Sequence, residues 1–289
     1  MRAVSLHPDV IVVTSAVLYV NCVIVRGAGG DASAEASEPT PASSGAGEDG
    51  ETSPRAEVFV IDSPVLPDEL DALPALLEQA RFPRPNGLLA THGDWDHLLG
   101  RLAFPQVALG CAESTAARLR ASPGEAQREL RGFDEELLIE RPRPLTLGSV
   151  QALPVPGRCE LGDAELELHA ADGHTLDGMA IWIPWARVLV AGDYVSPVEI
   201  PTLGAGDTLD AYLATLERLR ALLADVEHVV PGHGPVIDGA RALAVLEEDV
   251  AYLGELRRHG ARAELPAARS SRKQRRTHAE NVAALATVG

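Results

Sequence analysis

The chain has 289 residues, 46% of them hydrophobic, enough to bury a large core within one α/β unit. A formal charge of -17 and a pI near 4.9 exclude broad contact with nucleic acid or an anionic membrane surface, since both need a positive field, and leave a small-molecule substrate as the expected partner. Cys22, Cys111 and Cys159 are odd in number, lie far apart and form no CxxC pair, so neither a disulfide framework nor a thiolate metal site is expected and a cytoplasmic location is.

In chain order, the apolar stretch from Val10 to Val25 is rich in β-branched residues, contains Asn21 and follows a segment in which Asp9 offsets Arg2. It predicts two strands and not a signal peptide. From Gly27 to Arg55 there is almost no large apolar residue, so burial cannot offset the entropy of ordering. That segment is expected to be a disordered insertion in a hairpin between LYVNCVIV and AEVFVI. Strands and helices then alternate. A strand ends at Asp62, a helix runs from about Asp68 to Ala80, and the strand GLLAT leads into HGDWDH. VALGC reads as a strand, AESTAARLRA and PGEAQRELRGFDEELL as helical, and VQALPV, AELELHA, MAIWI and RVLVAG as strands. Leu209, Tyr212, Leu213, Leu216, Leu219 and Leu223 form one face of a scaffold helix. The strand HVV leads to PGHG, a helix follows from about Gly239 to His259, and a helical tail covers about 260–289. The run RSSRKQRR from Arg269 to Arg276 reads as a solvated basic face. No run reaches the ~18 apolar residues that a membrane helix needs.

The chemistry concentrates in HGDWDH, where His92, Asp94, Asp96 and His97 fall within six residues directly after an apolar strand. A tight turn there lets alternate side chains converge, as a divalent ion requires. Three later segments each place a donor at a strand end: ADGH with His174, VLVAGD with Asp193 and VVPGH with His233. Gly173, Gly192, Gly232 and Gly234 beside these donors permit backbone conformations closed to other residues. Trp95 reads as packing or pocket wall, and His7, His169, His228, His259 and His278 read as isolated histidines, with an outer-shell role as the alternative for His169, five positions before His174. No GxSxG, P-loop or GxGxxG motif suggests a different mechanism.

The order of these donors resembles the metallo-β-lactamase superfamily, whose first motif reads HxHxDH and is followed by a lone His, a lone Asp and a final His. The likeness takes in the early strands, the VFVIDSP turn of Asp62, the GD of Asp193, the GHGP of His233 and the helix behind it. It implies a four-layer αββα sandwich with two mixed β-sheets flanked by helices, spanning 1–289 as a single domain. It also implies two divalent metal ions, zinc first. His92, Asp94 and His174 would hold one, Asp96, His97 and His233 the other, and Asp193 would bridge them, with Asp96, His92 and His97 at the heart of catalysis. Asp62 is expected to orient the metal turn through hydrogen bonds. The implied activity is hydrolysis of a small ester, thioester, lactone, lactam or phosphoester through a metal-bound hydroxide.

One position departs from the family motif: Asp94 stands where a second histidine is usual. Exchanging a neutral imidazole for a carboxylate predicts a weaker Lewis acid and a shift toward harder ions, iron or manganese. A carboxylate here is also similar to the di-iron centre of flavodiiron proteins, so an iron redox enzyme is the alternative, although no flavodoxin-like domain follows His233. A metal-binding protein without catalysis is the third reading.

Overall fold

The computed structural model describes residues 1–27, 56–204 and 208–286. The expectation of disorder at about 27–55 therefore falls almost entirely outside the described residues. Two sheets organise the rest. The first contains β1 (Arg2–His7), β2 (Val10–Thr14), β3 (Asn21–Arg26), β4 (Val58–Ile61), β5 (Gly87–Ala90), β6 (Ala108–Ala112) and β7 (Val150–Leu153), hydrogen-bonded in that order. Its first four strands are mutually antiparallel, and β4 to β7 run parallel. The stretch expected to hold two early strands forms β2 and β3, and the sequences flanking the long insertion pair as antiparallel neighbours β3 and β4.

The second sheet contains β8 (Gly157–Leu161), β9 (Ala164–Ala170), β10 (Met179–Ile183), β11 (Val188–Gly192), β12 (His228–Pro231) and β13 (Ile237–Asp238). It is antiparallel except where β11 meets β12. The sequence reading missed β8, GRCEL, because on this edge strand the inward positions are Gly157, Cys159 and Leu161, too weak an apolar alternation against exposed Arg158 and Glu160 to stand out.

Strand periodicity explains how the layers stack. Side chains alternate across a strand, so a strand buried on both faces is apolar throughout. In β3, Val23 and Val25 face the second sheet while Cys22 and Ile24 face the outer helices; in β11, Val188 and Val190 point inward and Leu189 and Ala191 outward. The core between the sheets joins Val10, Val12, Ile61 and Leu89 to Leu166, Leu168, Ile181 and Val230. Helices α1 (Pro67–Gln79), α2 (Gly100–Ala103), α3 (Glu113–Ala121) and α4 (Glu125–Leu137) cover the outside of the first sheet, and α5 (Leu209–Leu222) and α6 (Gly239–His259) cover the second. The result is two mixed sheets sandwiched between helices.

The last helix, α7 (Arg272–Ala286), reaches the core through Val282 and Leu285. Here one expectation fails. Arg269, at the start of the basic run, is fully buried and not solvated, because its guanidinium pairs with Asp249 and Glu248 on α6 and donates to the carbonyls of Ser196 and Glu199. Gln274 and Asn281 likewise bond the backbone of Val198, Ile200, Pro201 and Leu203. The tail thus clamps the loop that follows Asp193. Among the described residues, no helix is long and apolar enough to cross a membrane.

Candidate metal centre

The metal-face donors come from chain reversals at the ends of strands. β4 is followed directly by Asp62, which holds a positive φ of 56°, a conformation that Asp tolerates better than most residues. β5 ends one residue before Thr91, and the chain then turns through His92 and Asp94 into a short 3-10 turn at Trp95–His97. Trp95 stacks on Phe133 of α4 with centroids 4.7 Å apart, so the acidic helix packs against this turn. From the second sheet come His174 after β9, Asp193 after β11 and His233 after β12. The two sheets are stitched together here. Asn21 donates to the carbonyls of Pro231 and Gly234, and Val20 forms an isolated bridge with His233.

All seven residues expected as ligands converge. His92 Nε2 and His174 Nε2 lie 3.5 and 3.4 Å from Asp94 Oδ2, and His233 Nε2 lies 3.5 Å from Asp96 Oδ2. Asp193 sits between these groups, with Oδ2 3.3 Å from His174 and His233 and Oδ1 3.3 Å from His97. Two donors sharing one ion at about 2.1 Å in tetrahedral geometry stand about 3.4 Å apart, so these spacings are those of ligands to a common cation. Three sets qualify by proximity: His92, Asp94 and His174; Asp96, His97 and His233; and His92, His97 and Asp193. Gly232 makes the approach possible, since a Cβ on it would lie 1.9 Å from Asp193 Oδ1.

Each imidazole is oriented from behind. His233 Nδ1 and His174 Nδ1 face the carbonyls of Leu18 and Thr202 at 2.9 and 3.2 Å. Asp62 governs the other two. Its Oδ1 accepts from Thr91 N, its Oδ2 accepts from the Thr91 hydroxyl, and Oδ2 also lies 3.0 Å from His97 Nδ1. The Thr91 hydroxyl, having spent its hydrogen, is left as an acceptor for His92 Nδ1 at 3.1 Å. For His92, His174 and His233 the proton is thereby held on Nδ1 and Nε2 points into the cage, while at His97 the Asp62 carboxylate favours the same tautomer through its charge, without a hydrogen bond. Among the described residues, His92, His97 and His174 Nε2, His97 Nδ1 and Asp193 Oδ1 are buried with no hydrogen-bond partner, and for the Nε2 and Oδ1 atoms that face the cage this is costly unless a cation receives them. The donor chemistry and these orphaned atoms fit divalent ions.

Without ions, the cage is held by its own opposite charges. Burial pulls the His174 imidazole down, but the charge of Asp193 and the hydrogen bond of Asp94 outweigh it and push it up to about 9. His233 is raised to about 10 against the same burial penalty, chiefly by Asp193. Burial disfavours ionised Asp193, yet the surrounding His233, His97, His92 and His174 hold its carboxyl well below the usual carboxylate range. Tyr212 donates to the Asp193 carbonyl, and Tyr194 accepts from His174 N.

The sequence reading missed Arg118 and Asp177. Arg118 Nη2 lies 2.8 Å from Asp94 Oδ1, and its Nη1 donates to Asp177, which also accepts from Gly93 N. No motif flags Arg118, an arginine on a helix of mixed polarity, whereas Asp177 stood three residues beyond His174. His169 contacts Glu167 and none of the seven donors.

A two-sheet sandwich flanked by helices, with a His/Asp cage at its strand ends that could hold metal ions, defines the α/β class of this chain. The model of the metallo-beta-lactamase superfamily matches residues 56–233, and the chain belongs to that superfamily. A beta-lactamase-like protein 2 homolog from Caenorhabditis elegans is 38% identical over 79 residues, covering 26% of this chain and 24% of that protein. A metallo-beta-lactamase type 2 from Bacillus sp. (strain 170) is 29% identical over 106 residues, 35% of this chain and 39% of the enzyme. The matched segments thus span well under half of either relative. A metallo-beta-lactamase family protein from Thermus thermophilus shares the fold with a TM-score of 0.66 at 18% identity, covering 98% of this chain and 94% of that one.

Proposed function

We propose that this member of a superfamily of metal-dependent hydrolases holds two divalent ions, zinc first, and cleaves a small ester, thioester, lactone, lactam or phosphoester. The observation that carries the reading is the pair of three-donor nests, His92, Asp94, His174 and Asp96, His97, His233, with Asp193 in contact with both. Bound there, the ions would supply Lewis acidity and a water acidified to near neutral pH. The protein's part is to present the four Nε2 atoms without protons, to share Asp193 between the nests and to keep the interior side dry. Asp94 is 29% exposed while the other six donors are at most 12% exposed, so substrate approaches from the Asp94 side.

Metal analysis of the purified protein combined with a panel of chromogenic thioester, lactone, lactam and phosphodiester substrates tests this. Zinc or manganese together with turnover that a chelator abolishes is the expected result; no metal uptake under any condition refutes it. The extra carboxylate at Asp94 favours a second reading, an iron redox enzyme, which would show iron and oxygen consumption instead.

A further inference from the structure

We infer that Arg118 is a positioning residue for the first nest: it ties up Asp94 Oδ1, so that Asp94 offers a single oxygen, Oδ2, in place of a histidine's single nitrogen. This rests on the metal-centre reading and deepens it. The two oxygens of Asp94 have different partners. Oδ1 meets Arg118 Nη2 at 2.8 Å, while Oδ2 faces His92 and His174 Nε2 at 3.5 and 3.4 Å.

Arg118 is itself fixed by a dedicated mount. Its Nη1 donates at 2.9 Å to Asp177, which is 2% exposed and whose other oxygen accepts from Gly93 N within the metal turn. Gly93 leaves room for the fork, since a Cβ there would lie 3.2 Å from Asp177 Oδ2 and 3.3 Å from Arg118 Nη1. A planar guanidinium spanning two carboxylates is a geometry that lysine cannot reproduce. The fork also shares out the charge of Asp94, so the substitution of a carboxylate for an imidazole alters the nest less than the bare sequence implies. A free carboxylate can ligate through both oxygens; one held by Arg118 cannot.

Cobalt(II) tests this directly, because its visible absorption weakens as its coordination number rises. Wild type, Arg118→Gln, Asp94→His and the Asp94→His/Arg118→Gln double variant would be loaded with cobalt, and bound metal and spectra compared. Arg118→Gln is expected to keep its cobalt but lose intensity at least twofold as Oδ1 becomes free to ligate, and the same change in the Asp94→His background is expected to leave the spectrum unaltered. If Arg118→Gln does not fold, Arg118→Lys serves: its one ammonium stays with the more buried Asp177 and frees Asp94 alike. Cobalt bound with identical spectra in wild type and the Arg118 variants overturns the inference, as does an equal spectral change with and without Asp94. Failure of the wild type to take up cobalt would instead defeat the metal-centre reading beneath it.

Discussion

Changing Asp62 to Asn tests whether one carboxylate sets the protonation of two cage histidines. The substitution keeps the shape but leaves one acceptor oxygen, and that oxygen must stay with Thr91 N, because a backbone N–H cannot change its role. The new amide NH2 then faces the Thr91 hydroxyl and His97 Nδ1, which sit 2.9 and 3.0 Å from Oδ2 in the native protein. The hydroxyl turns its hydrogen toward His92 Nδ1, and both imidazoles are driven to carry their proton on Nε2, the atom that faces the cage. One donor is lost from each nest. Loss of an outer-shell partner costs about 10–100-fold in metal affinity, so each ion is expected to bind that much more weakly. In free energy this is about 1.4–2.8 kcal/mol per ion. The metal-free fold should lose about 1–3 kcal/mol, because buried His97 loses the Asp62 charge that helps outweigh its desolvation. Competition titration against a chromophoric chelator, with thermal melts of both stripped proteins, measures the two effects separately. Affinities within about threefold of wild type for both ions would show that Asp62 does not control these tautomers.

Gly232→Ala places a methyl group 1.9 Å from Asp193 Oδ1. It should push the shared carboxylate aside by about 1 Å, cost about 10²-fold or more in turnover and destabilise the stripped protein by about 1–3 kcal/mol; turnover and melting both close to wild type would contradict it. In the stripped protein His174 and His233 are raised to about 9 and about 10. A histidine raised in the folded state stabilises fully below its unfolded value of about 6.5 and loses that contribution as pH climbs through the folded value, so the melting temperature of chelated protein should fall between about pH 6.5 and 10. Ion uptake should release protons in the same window, and a pH-independent melt would refute both statements. Arg269→Met leaves Asp249 buried without its partner and should destabilise the fold by about 3–5 kcal/mol, read by urea denaturation. A loss under about 1 kcal/mol would refute the reading that this buried pair holds the tail in place.

Local physics made much of this molecule legible in the sequence. Period-two alternation, β-branched runs and helical faces located most strands and helices, and α6 falls within the limits its pattern set. The donors were visible because metal chemistry needs scarce residue types at strand ends, and HGDWDH packs four of them together. Asp62 was likewise placed as an orienting group, and it lies against Thr91 and His97.

Tertiary structure decided what depends on contacts between residues distant in the chain. Arg118 reaches Asp177 across 59 positions and Arg269 reaches Glu199 across 70, and neither carries a pattern, because a guanidinium is read as solvated until its partners are known. The same holds for the tail: α7 has no chemistry of its own, yet Asn281 secures Leu203 beside the carbonyl that faces His174. Periodicity reports which face of an element is apolar, whereas the pairing of buried charges is set only when separate elements meet, and in this protein that meeting determines how Asp94 is presented.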